Sequence, residues 1–500
     1  MFRIRFLARA LLAPLAALLL LPAPSVRSAT RQAQPAGLAA EGAAFWRDAA
    51  VADVAAAYRL LRDNHPGMVP AVGDAGFRNA VEEAHAQAAR RAGSVGSYEG
   101  YAATLAAFAD ALGDKHIWSR PTFLVGRPDW AGLLMSRRGN HWIVADEEAS
   151  PPAESVLGAE LISCDGRAPD DWARQSLGVY RVDWSVGAQQ VQAAPWLLVD
   201  EHNPFVSRPK TCVFEKQGRR LSITLAWRGI KRDSLTPRIA VAVGAGAAGF
   251  GVRKVGEGYW IGLQSLLDPA APVVAAVKAN AAQLRRAPFV VLDLRGNSGG
   301  SSFFGEEIAR ALMGVDYVSS VIDADDPGCD GVWRVSDGNI RQLQFYVDVL
   351  GPTHGPEFTK IVTRLLNDAK SAQAKGQALS GPLTCARAKG APKDRAASLL
   401  QGRLVLITDN LCFSSCLVVT NEFRKLGALH VGQTTDANTH YTEVREELLP
   451  SGLSNFSTLQ AVSPSDPPRY GPFAPAIPYG GDIADTPALE QWVLKTLAAR

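Results

Sequence analysis

The chain has 500 residues, enough for two or three domains of ~100–200 residues each. Its hydrophobic fraction of 47% and charged fraction of 20% are ordinary for a globular protein and exclude a disordered or collagen-like chain. Outside the first 28 residues, which hold four arginines and no acidic residue, the chain has 48 basic and 49 acidic side chains. It therefore lacks the basic excess expected of a nucleic-acid-binding protein.

Residues 1–28 have the layout of a secretory signal peptide. Three arginines lie in residues 1–9, residues 10–21 are almost continuously apolar, and residues 22–29 are small and interrupted by proline. The apolar run is shorter than the ~20 residues of a transmembrane helix. We expect cleavage after Ser28, a periplasmic or secreted protein, and no stable membrane insertion after cleavage. An uncleaved anchor is the alternative.

Six cysteines in an exported chain favour disulfide bonds, although the sequence leaves their pairing open. Their spacing does not suit a zinc ribbon, and the sequence has no His-Glu-x-x-His motif. We expect neither a metal nor a cofactor. The six are Cys164, Cys212, Cys329, Cys385, Cys412 and Cys416.

A linker and three regions of different character follow the signal peptide. Residues 29–45 are rich in Ala, Gln and Gly and are typical of a linker. In residues 46–120, apolar side chains at helical spacing predict helices over 51–64, 75–92 and 98–112.

Residues 121–235 form a small β-rich region, with predicted strands at 141–145, 160–163 and 221–227 between turn residues. Within it, residues 156–166 resemble the strand-turn segment of a PDZ domain, where a peptide adds as an extra strand. A generic β-hairpin is the alternative interpretation.

Residues 240–500 alternate apolar strands with amphipathic helices, and this order predicts a parallel sheet with right-handed crossovers. A helical insertion of about 314–403 interrupts the alternation, and a segment of this length is more often functional than a plain loop. The predicted strands are 289–294, 404–408 and 428–431, and the predicted helices are 303–313 and 414–426.

Two serines are candidates for a nucleophile. Ser298 lies in a Gly-x-Ser-x-Gly sequence between a strand and a helix, the setting of an α/β-hydrolase elbow. With Ser298 as nucleophile and His430 or His440 as its base, the protein would be an esterase. Ser414 also lies between a strand and a helix, where free backbone N–H groups and the helix dipole favour an oxyanion.

The sequence around Ser298 resembles a signature of the tail-specific protease superfamily, which includes the C-terminal processing peptidases and the tricorn core protease. Asp293, Arg295, Asn297, Gly299 and Gly300 match its Asp-x-Arg-x-Asn-x-Gly-Gly motif. The segments 259–263, 404–417 and 432–435 are similar to three further strands of that family. The resemblance implies an α/β catalytic domain with a ClpP/crotonase-like parallel sheet, an N-terminal helical domain and the small β-rich domain.

The resemblance also implies roles for individual residues. Ser414 falls on the nucleophile, and Ser298 becomes a residue of the oxyanion loop. The N–H groups of Gly299 or Gly300 and of Ser415 would hold the oxyanion. The side chains of Asp293, Arg295 and Asn297 would fix the shape of the loop.

The general base is expected to be a histidine. The processing peptidases use a lysine about two dozen residues past the serine, but residues 426–444 contain no lysine or arginine. The tricorn-like branch takes a histidine from an N-terminal Asp-x-His segment, which His116 and Asp114 resemble. Histidine suits the role because its ordinary pKa lies near neutrality. His440 is the stronger of two rivals nearer the serine.

A base needs an orienting acid, for which the sequence offers Asp466 and Glu443. Tricorn-like members place a glutamate before a Tyr-Gly turn, and Asp466 lies near the matching Tyr470. The chain is thus expected to be an exported serine peptidase of the histidine-dependent branch acting on peptides or unfolded protein tails. The alternatives are the Ser298 esterase and a catalytically silent peptide-binding protein of the same fold.

Overall fold

The computed structural model describes residues 41–123, 126–148, 154–323, 331–384, 395–464 and 466–498. The predicted signal peptide and linker residues 29–40 lie outside this range, as do Cys329 and Cys385. No helix among the described residues has the length and apolar character needed to cross a membrane.

Three helices open the described chain: α1 (Ala43–Asn64), α2 (Ala75–Ala92) and α3 (Tyr98–Asp110). The prediction of a linker up to residue 45 therefore needs correction, because α1 begins at Ala43. The side chains of Asp74 and Ser97 cap α2 and α3 by accepting hydrogen bonds from the N–H groups of Phe77 and Gly100. A short strand, β1 (Ser119–Pro121), follows.

The middle of the chain is built on a five-stranded antiparallel sheet in the order β3-β4-β5-β7-β8. A disulfide between Cys164 and Cys212 joins neighbouring strands of it. A 3₁₀ turn, Ala194–Leu198, packs against β3. The strands are β2 (Asp129–Trp130), β3 (Leu133–Arg138), β4 (His141–Glu147), β5 (Glu160–Cys164), β6 (Val199–Asp200), β7 (Thr211–Lys216), β8 (Arg219–Thr224) and β9 (Arg228–Gly229), and the helices are α4 (Pro169–Tyr180), α5 (Gly187–Ala193) and α6 (Arg232–Val243).

A six-stranded sheet carries the C-terminal half, in the order β10-β11-β12-β14-β15-β20. All its neighbours pair in parallel except β10, the antiparallel edge strand. Its strands are β10 (Phe250–Val255), β11 (Gly258–Leu263), β12 (Phe289–Asp293), β14 (Arg403–Thr408), β15 (Leu429–Gly432) and β20 (Ile477–Pro478). The α/β fold with a parallel sheet that the sequence predicts is confirmed.

Side chains of the central strands alternate between two cores, as expected of a sheet covered on both faces. Val290 and Leu292 pack on one face with the helices that follow β11, β12 and β14. Val291 packs on the other face against the C-terminal helix. The covering helices are α7 (Ala270–Ala279), α8 (Ala281–Arg286), α9 (Ser302–Met313), α14 (Ser415–Lys425) and α15 (Thr486–Ala498).

The segment between α9 and β14 is largely helical where it is described. It contains α10 (Val315–Val318), β13 (Val332–Trp333), α11 (Asp337–Phe345), α12 (Gly351–His354) and α13 (Pro356–Ala374). Two π-helical turns, Ser319–Asp323 and Tyr346–Leu350, accompany them.

A further sheet, of four strands, joins the N-terminal and C-terminal parts of the chain. The long hairpin of β17 (Tyr441–Leu448) and β18 (Ser454–Val462) pairs with β1 and β13, and a separate pair links β16 (Asn438–Thr439) to β19 (Arg469–Tyr470). The hairpin packs against α1, α2 and α3 in one hydrophobic core. This pairing brings the segment just after α3 to the C-terminal half of the molecule.

Candidate active site

Ser414 lies in the turn between β14 and α14. Its backbone has φ 57° and ψ −129°, a region that non-glycine residues rarely occupy and that is common at strained functional turns. A disulfide between Cys412 and Cys416 closes the turn on both sides of the serine. The serine is thus held in a strained turn between a strand and a helix.

His116 meets Ser414 although 298 residues separate them. Its Nε2 lies 3.0 Å from Ser414 Oγ. The imidazole is 6% exposed and packs on the Phe413 ring with a centroid distance of 4.6 Å. The structure therefore brings together the serine and the histidine that the sequence resemblance singled out.

Asp114 holds the other side of the imidazole. Its Oδ1 lies 2.9 Å from His116 Nδ1 and also accepts the His116 backbone N–H at 2.8 Å. A carboxylate at Nδ1 fixes the tautomer with its proton on Nδ1, which leaves the Nε2 lone pair free to accept the serine proton.

The carboxylate of Asp114 stays ionised. Burial alone would raise the pKa of Asp114, but the charge of His116 and hydrogen bonds from His116 and the Thr439 hydroxyl outweigh it and hold the pKa below its usual value. An ionised Asp114 can stabilise the imidazolium that forms when His116 takes a proton.

The two acids expected from the sequence lie elsewhere. Asp466 follows β18 and lies near His440. Glu443 sits at an irregular position of β17 with φ 65°, and its Oε2 is buried with no hydrogen-bond partner among the described residues. The structure therefore places Asp114, and neither Asp466 nor Glu443, at the Nδ1 side of His116.

The motif residues fix the loop that faces the serine. Asp293 accepts hydrogen bonds from Arg295 Nη2 at 2.7 Å and from Trp260 Nε1 at 2.9 Å. Arg295 also donates to the carbonyl of Ile483 at 2.7 Å. The Asn297 amide donates to the carbonyl of Leu263 at 2.7 Å. All three motif side chains are fully or almost fully buried.

Gly299 and Gly300 come directly against the nucleophile turn. A Cβ on Gly299 would lie 2.8 Å from Ser414 Cβ, and a Cβ on Gly300 would lie 2.2 Å from the carbonyl oxygen of Leu266. The Ser415 hydroxyl donates to the carbonyl of Gly300 at 2.7 Å. Only glycine fits these two positions, which also have φ of 108° and 125°.

The expected oxyanion donors differ in availability. The Gly299 N–H donates to Asn297 Oδ1 at 2.9 Å, so it is already engaged. The N–H groups of Gly300 and Ser415 have no acceptor within the described parts of the chain. Of the expected set, Gly300 and Ser415 are therefore the two free donors.

Asp409 links the two loops. Its Oδ2 accepts the Gly296 N–H at 2.8 Å, and its Oδ1 accepts the N–H of Leu411 at 3.0 Å. Burial raises the pKa of Asp409 to about 7, and these two hydrogen bonds act in the opposite direction. The sequence patterns did not single out this residue.

Ser298 and the rival histidines are not assembled into a site. Ser298 is exposed at the tip of its loop. His430 Nε2 lies 2.8 Å from the Thr408 hydroxyl, and burial lowers the pKa of His430 to about 4. Burial also lowers the pKa of His440, whose Nε2 has no partner among the described residues.

Two solved structures show which fold the chain adopts. Mature CPAF has a TM-score of 0.55 at 14% identity, with 91% of this chain and 98% of that chain covered. Mature CPAF complexed with lactacystin has a TM-score of 0.55 at 13% identity, with 91% and 100% covered. No protein-family model matches the sequence, and the search of curated proteins found no match. CPAF is a member of the tail-specific protease family. The resemblance read from the Asp-x-Arg-x-Asn-x-Gly-Gly motif is thus confirmed for the fold, and the chain adopts the fold of the tail-specific proteases.

Proposed function

We propose that this protein is an exported serine peptidase that cleaves peptides or unfolded protein tails through an acyl-enzyme. Ser414 is the nucleophile, His116 the general base and Asp114 the acid that orients it. The observation that carries the proposal is the chain of contacts from Ser414 Oγ to His116 Nε2 at 3.0 Å and from His116 Nδ1 to Asp114 at 2.9 Å.

In the first half-reaction Ser414 Oγ attacks the peptide carbonyl carbon while His116 Nε2 takes the hydroxyl proton. The negative charge moves to the carbonyl oxygen, which the N–H groups of Gly300 and Ser415 stabilise. As the C–N bond breaks, His116 gives the proton to the leaving amine. Losing one oxyanion donor in such a site costs about 10²–10³ in turnover.

In the second half-reaction a water attacks the acyl-enzyme. His116 takes one proton from that water and returns it to Ser414 Oγ as the ester bond breaks. Asp114 remains a carboxylate throughout and stabilises the positive imidazolium in both halves. The products are the released amine and a new carboxylate end.

Export is proposed on the signal-like residues 1–28 and is compatible with the two disulfides, since such bonds persist in oxidising compartments. The expectation of a peptide-adding PDZ domain in residues 121–235 stays a prediction.

The test is labelling with a fluorophosphonate, followed by peptide mapping of the modified serine. We expect the label on Ser414, its loss in Ser414→Ala, and much slower labelling in His116→Ala. Ser298→Ala is the matched control and should label normally. A label on Ser298 would favour the esterase. Absence of labelling in folded protein, with no turnover of casein or short acyl esters, would favour a silent binding protein.

A further inference from the structure

A cleft of about 350 Å³ lies between α3 and α4, on the side of the N-terminal helices that faces the β-rich region. Its floor on α3 is made of small residues, Ala102, Ala103 and Ala106, which leave room above the helix. Neither Ser414 nor His116 lines the cleft, and no residue of β3 does. It is therefore separate from the proposed catalytic pair.

Tryptophan side chains dominate the walls. Trp118, Trp172, Trp196 and Trp227 all line the cleft. All four rings already carry a guanidinium, those of Arg120, Arg167, Arg181 and Arg208. The Cζ atoms lie 5.6 Å from the Trp118 ring centroid, 4.5 Å from Trp172, 3.8 Å from Trp196 and 5.3 Å from Trp227. The walls are thus suited to positive charge, because the face of an indole ring attracts cations.

The three arginines of the cleft are committed to carboxylates. Arg181 and Arg232 both pair with Glu201, and Arg208 pairs with Asp200 and also with Asp129. An anion entering the cleft would have to displace one of these partners. The cleft is therefore poorly suited to a negatively charged ligand.

Two further carboxylates line the cleft without a partner. Glu99 and Asp110 lie at opposite ends of the same face of α3, and neither side chain has a hydrogen bond or ion pair within the described residues. Burial raises the pKa of Asp110 to about 7. The positive charges of Arg181, on the α4 side, and of Lys115, beyond α3, act to lower this pKa. Both side chains already form ion pairs with other carboxylates. A cavity with convergent polar groups and a perturbed carboxyl has the features of a ligand site.

We propose that this cleft binds an organic cation, a primary ammonium or guanidinium group, between the Asp110 carboxylate and the tryptophan rings. The cation supplies the charge partner that Asp110 lacks. The volume suits a ligand about as large as an amino acid with a basic side chain. This proposal does not depend on the proposed peptidase activity, because binding is measured without turnover.

The test is isothermal titration of the full-length folded protein, in an amine-free buffer at pH 8, with n-butylammonium, 1-butanol and butyrate. These three probes share their alkyl chain and differ in charge. We expect saturable binding of n-butylammonium with a Kd on the order of millimolar, which suits so small a ligand. We expect no measurable binding of 1-butanol or butyrate.

Variants locate the site. Asp110→Asn, which preserves shape, should weaken n-butylammonium binding about tenfold or more. Glu99→Gln should weaken it less, because the pKa of Asp110 marks that carboxyl as the more desolvated group. Asp368→Asn, an exposed carboxylate on α13, is the matched control and should bind normally.

The pH dependence gives an independent readout that needs no variant. With a pKa of about 7, Asp110 is about one-tenth ionised at pH 6 and about nine-tenths at pH 8. The apparent affinity for n-butylammonium should therefore rise about tenfold between these two pH values. The proposal fails if n-butylammonium does not bind or if butyrate binds as tightly. It also fails if folded Asp110→Asn binds like the wild type or if the affinity is the same at pH 6 and pH 8.

Discussion

Lys115 Nζ lies 2.8 Å from Asp436 Oδ2, across 321 residues of chain. Asp436 is fully buried and also accepts hydrogen bonds from Gln189 and Gln192, which both lie on helix α5 of the β-rich region. The Lys115 ammonium sits over the Phe413 ring, which in turn packs on His116. The Asp436 N–H in turn donates to the carbonyl of Cys412 at 3.0 Å. Lys115 therefore connects the segment of the histidine to the turn that carries the serine through both Asp436 and the Phe413 ring.

We predict that Lys115→Met lowers the rate of fluorophosphonate labelling of Ser414 by about tenfold to a hundredfold. Loss of the pair lets the His116 segment move against the serine turn, and small displacements of this kind are costly. Lys278→Met, which removes the lysine of the surface pair with Glu307, is the matched control and should label at the normal rate. Equal labelling rates in both variants would contradict a positioning role.

Asp114→Asn is expected to lower turnover by about 10³–10⁴ while leaving the fold intact. The amide can present its N–H to Nδ1 and favour the tautomer whose Nε2 already carries a proton. Turnover of a short acyl ester measures the effect. Asp466→Asn and Glu443→Gln are the comparison variants, and near-normal turnover in both is expected. A large loss in Asp466→Asn with normal Asp114→Asn would restore the acid first expected from the sequence.

Removal of either disulfide should lower stability, but by different amounts and with different effects on the labelling of Ser414. Removal of the Cys412–Cys416 bond by double alanine substitution should cost about 2 kcal/mol of unfolding free energy, because the closed loop is short. The same change at Cys164–Cys212, which closes a longer loop, should cost about 4 kcal/mol. Labelling of Ser414 should nevertheless fall mainly in the first variant, since that bond brackets its strained turn. Urea unfolding of both variants measures the loss of stability, and their labelling rates measure the effect on Ser414.

Gly299→Ala should abolish labelling of Ser414. The new methyl would lie 2.8 Å from Ser414 Cβ and 3.2 Å from Ser414 Oγ, and the position has φ 108°. Gly218→Ala is the control that introduces backbone strain without a steric clash. Gly218 has φ 77°, but no atom lies within 4 Å of the added Cβ. We expect Gly218→Ala to lose some stability and to label normally. Labelling of Gly299→Ala at the normal rate would remove this loop from the site.

Acidification should destabilise the protein through His430. Burial lowers the pKa of His430 to about 4, so the imidazole stays neutral in the folded protein but takes up a proton in the unfolded chain below about pH 6.5. This residue should therefore cost about 2 kcal/mol of unfolding free energy between pH 7 and pH 5. His430→Gln should show a correspondingly smaller loss over that range in urea unfolding. Identical pH dependence in the two proteins would contradict the buried neutral state.

Local patterns predicted much of the catalytic domain. The strand predicted at 289–294 is observed at Phe289–Asp293, and the helix predicted at 414–426 is observed at Ser415–Lys425. Both have strong apolar periodicity and are buried between layers, so local preference and tertiary packing agree. The Asp-x-Arg-x-Asn-x-Gly-Gly motif identified its loop for a similar reason. Its Asp, Arg and Asn side chains are all needed to form one tight turn.

Contacts that depend on the shape of a turn or on the packing of distant segments were harder to predict. Asp114 was overlooked as the acid although it stands two residues before His116. Its carboxylate reaches the imidazole only because the turn after Gly113, which has φ 66°, folds it back onto the His116 N–H. A glycine followed directly by Asp-x-His was the sequence signal that could have identified Asp114. The partnership of Lys115 with Asp436 has no local signal, because it depends on how three regions pack.

The 298 residues between His116 and Ser414 have a consequence for how the protein is made. A ribosome completes the histidine long before the serine, and the hairpin strand β18 that pairs with β1 comes later still. Contacts this distant form late, because the entropy of closing a long loop must be overcome first. The contact between the proposed base and the proposed nucleophile therefore forms only when the last third of the polypeptide has folded onto the first.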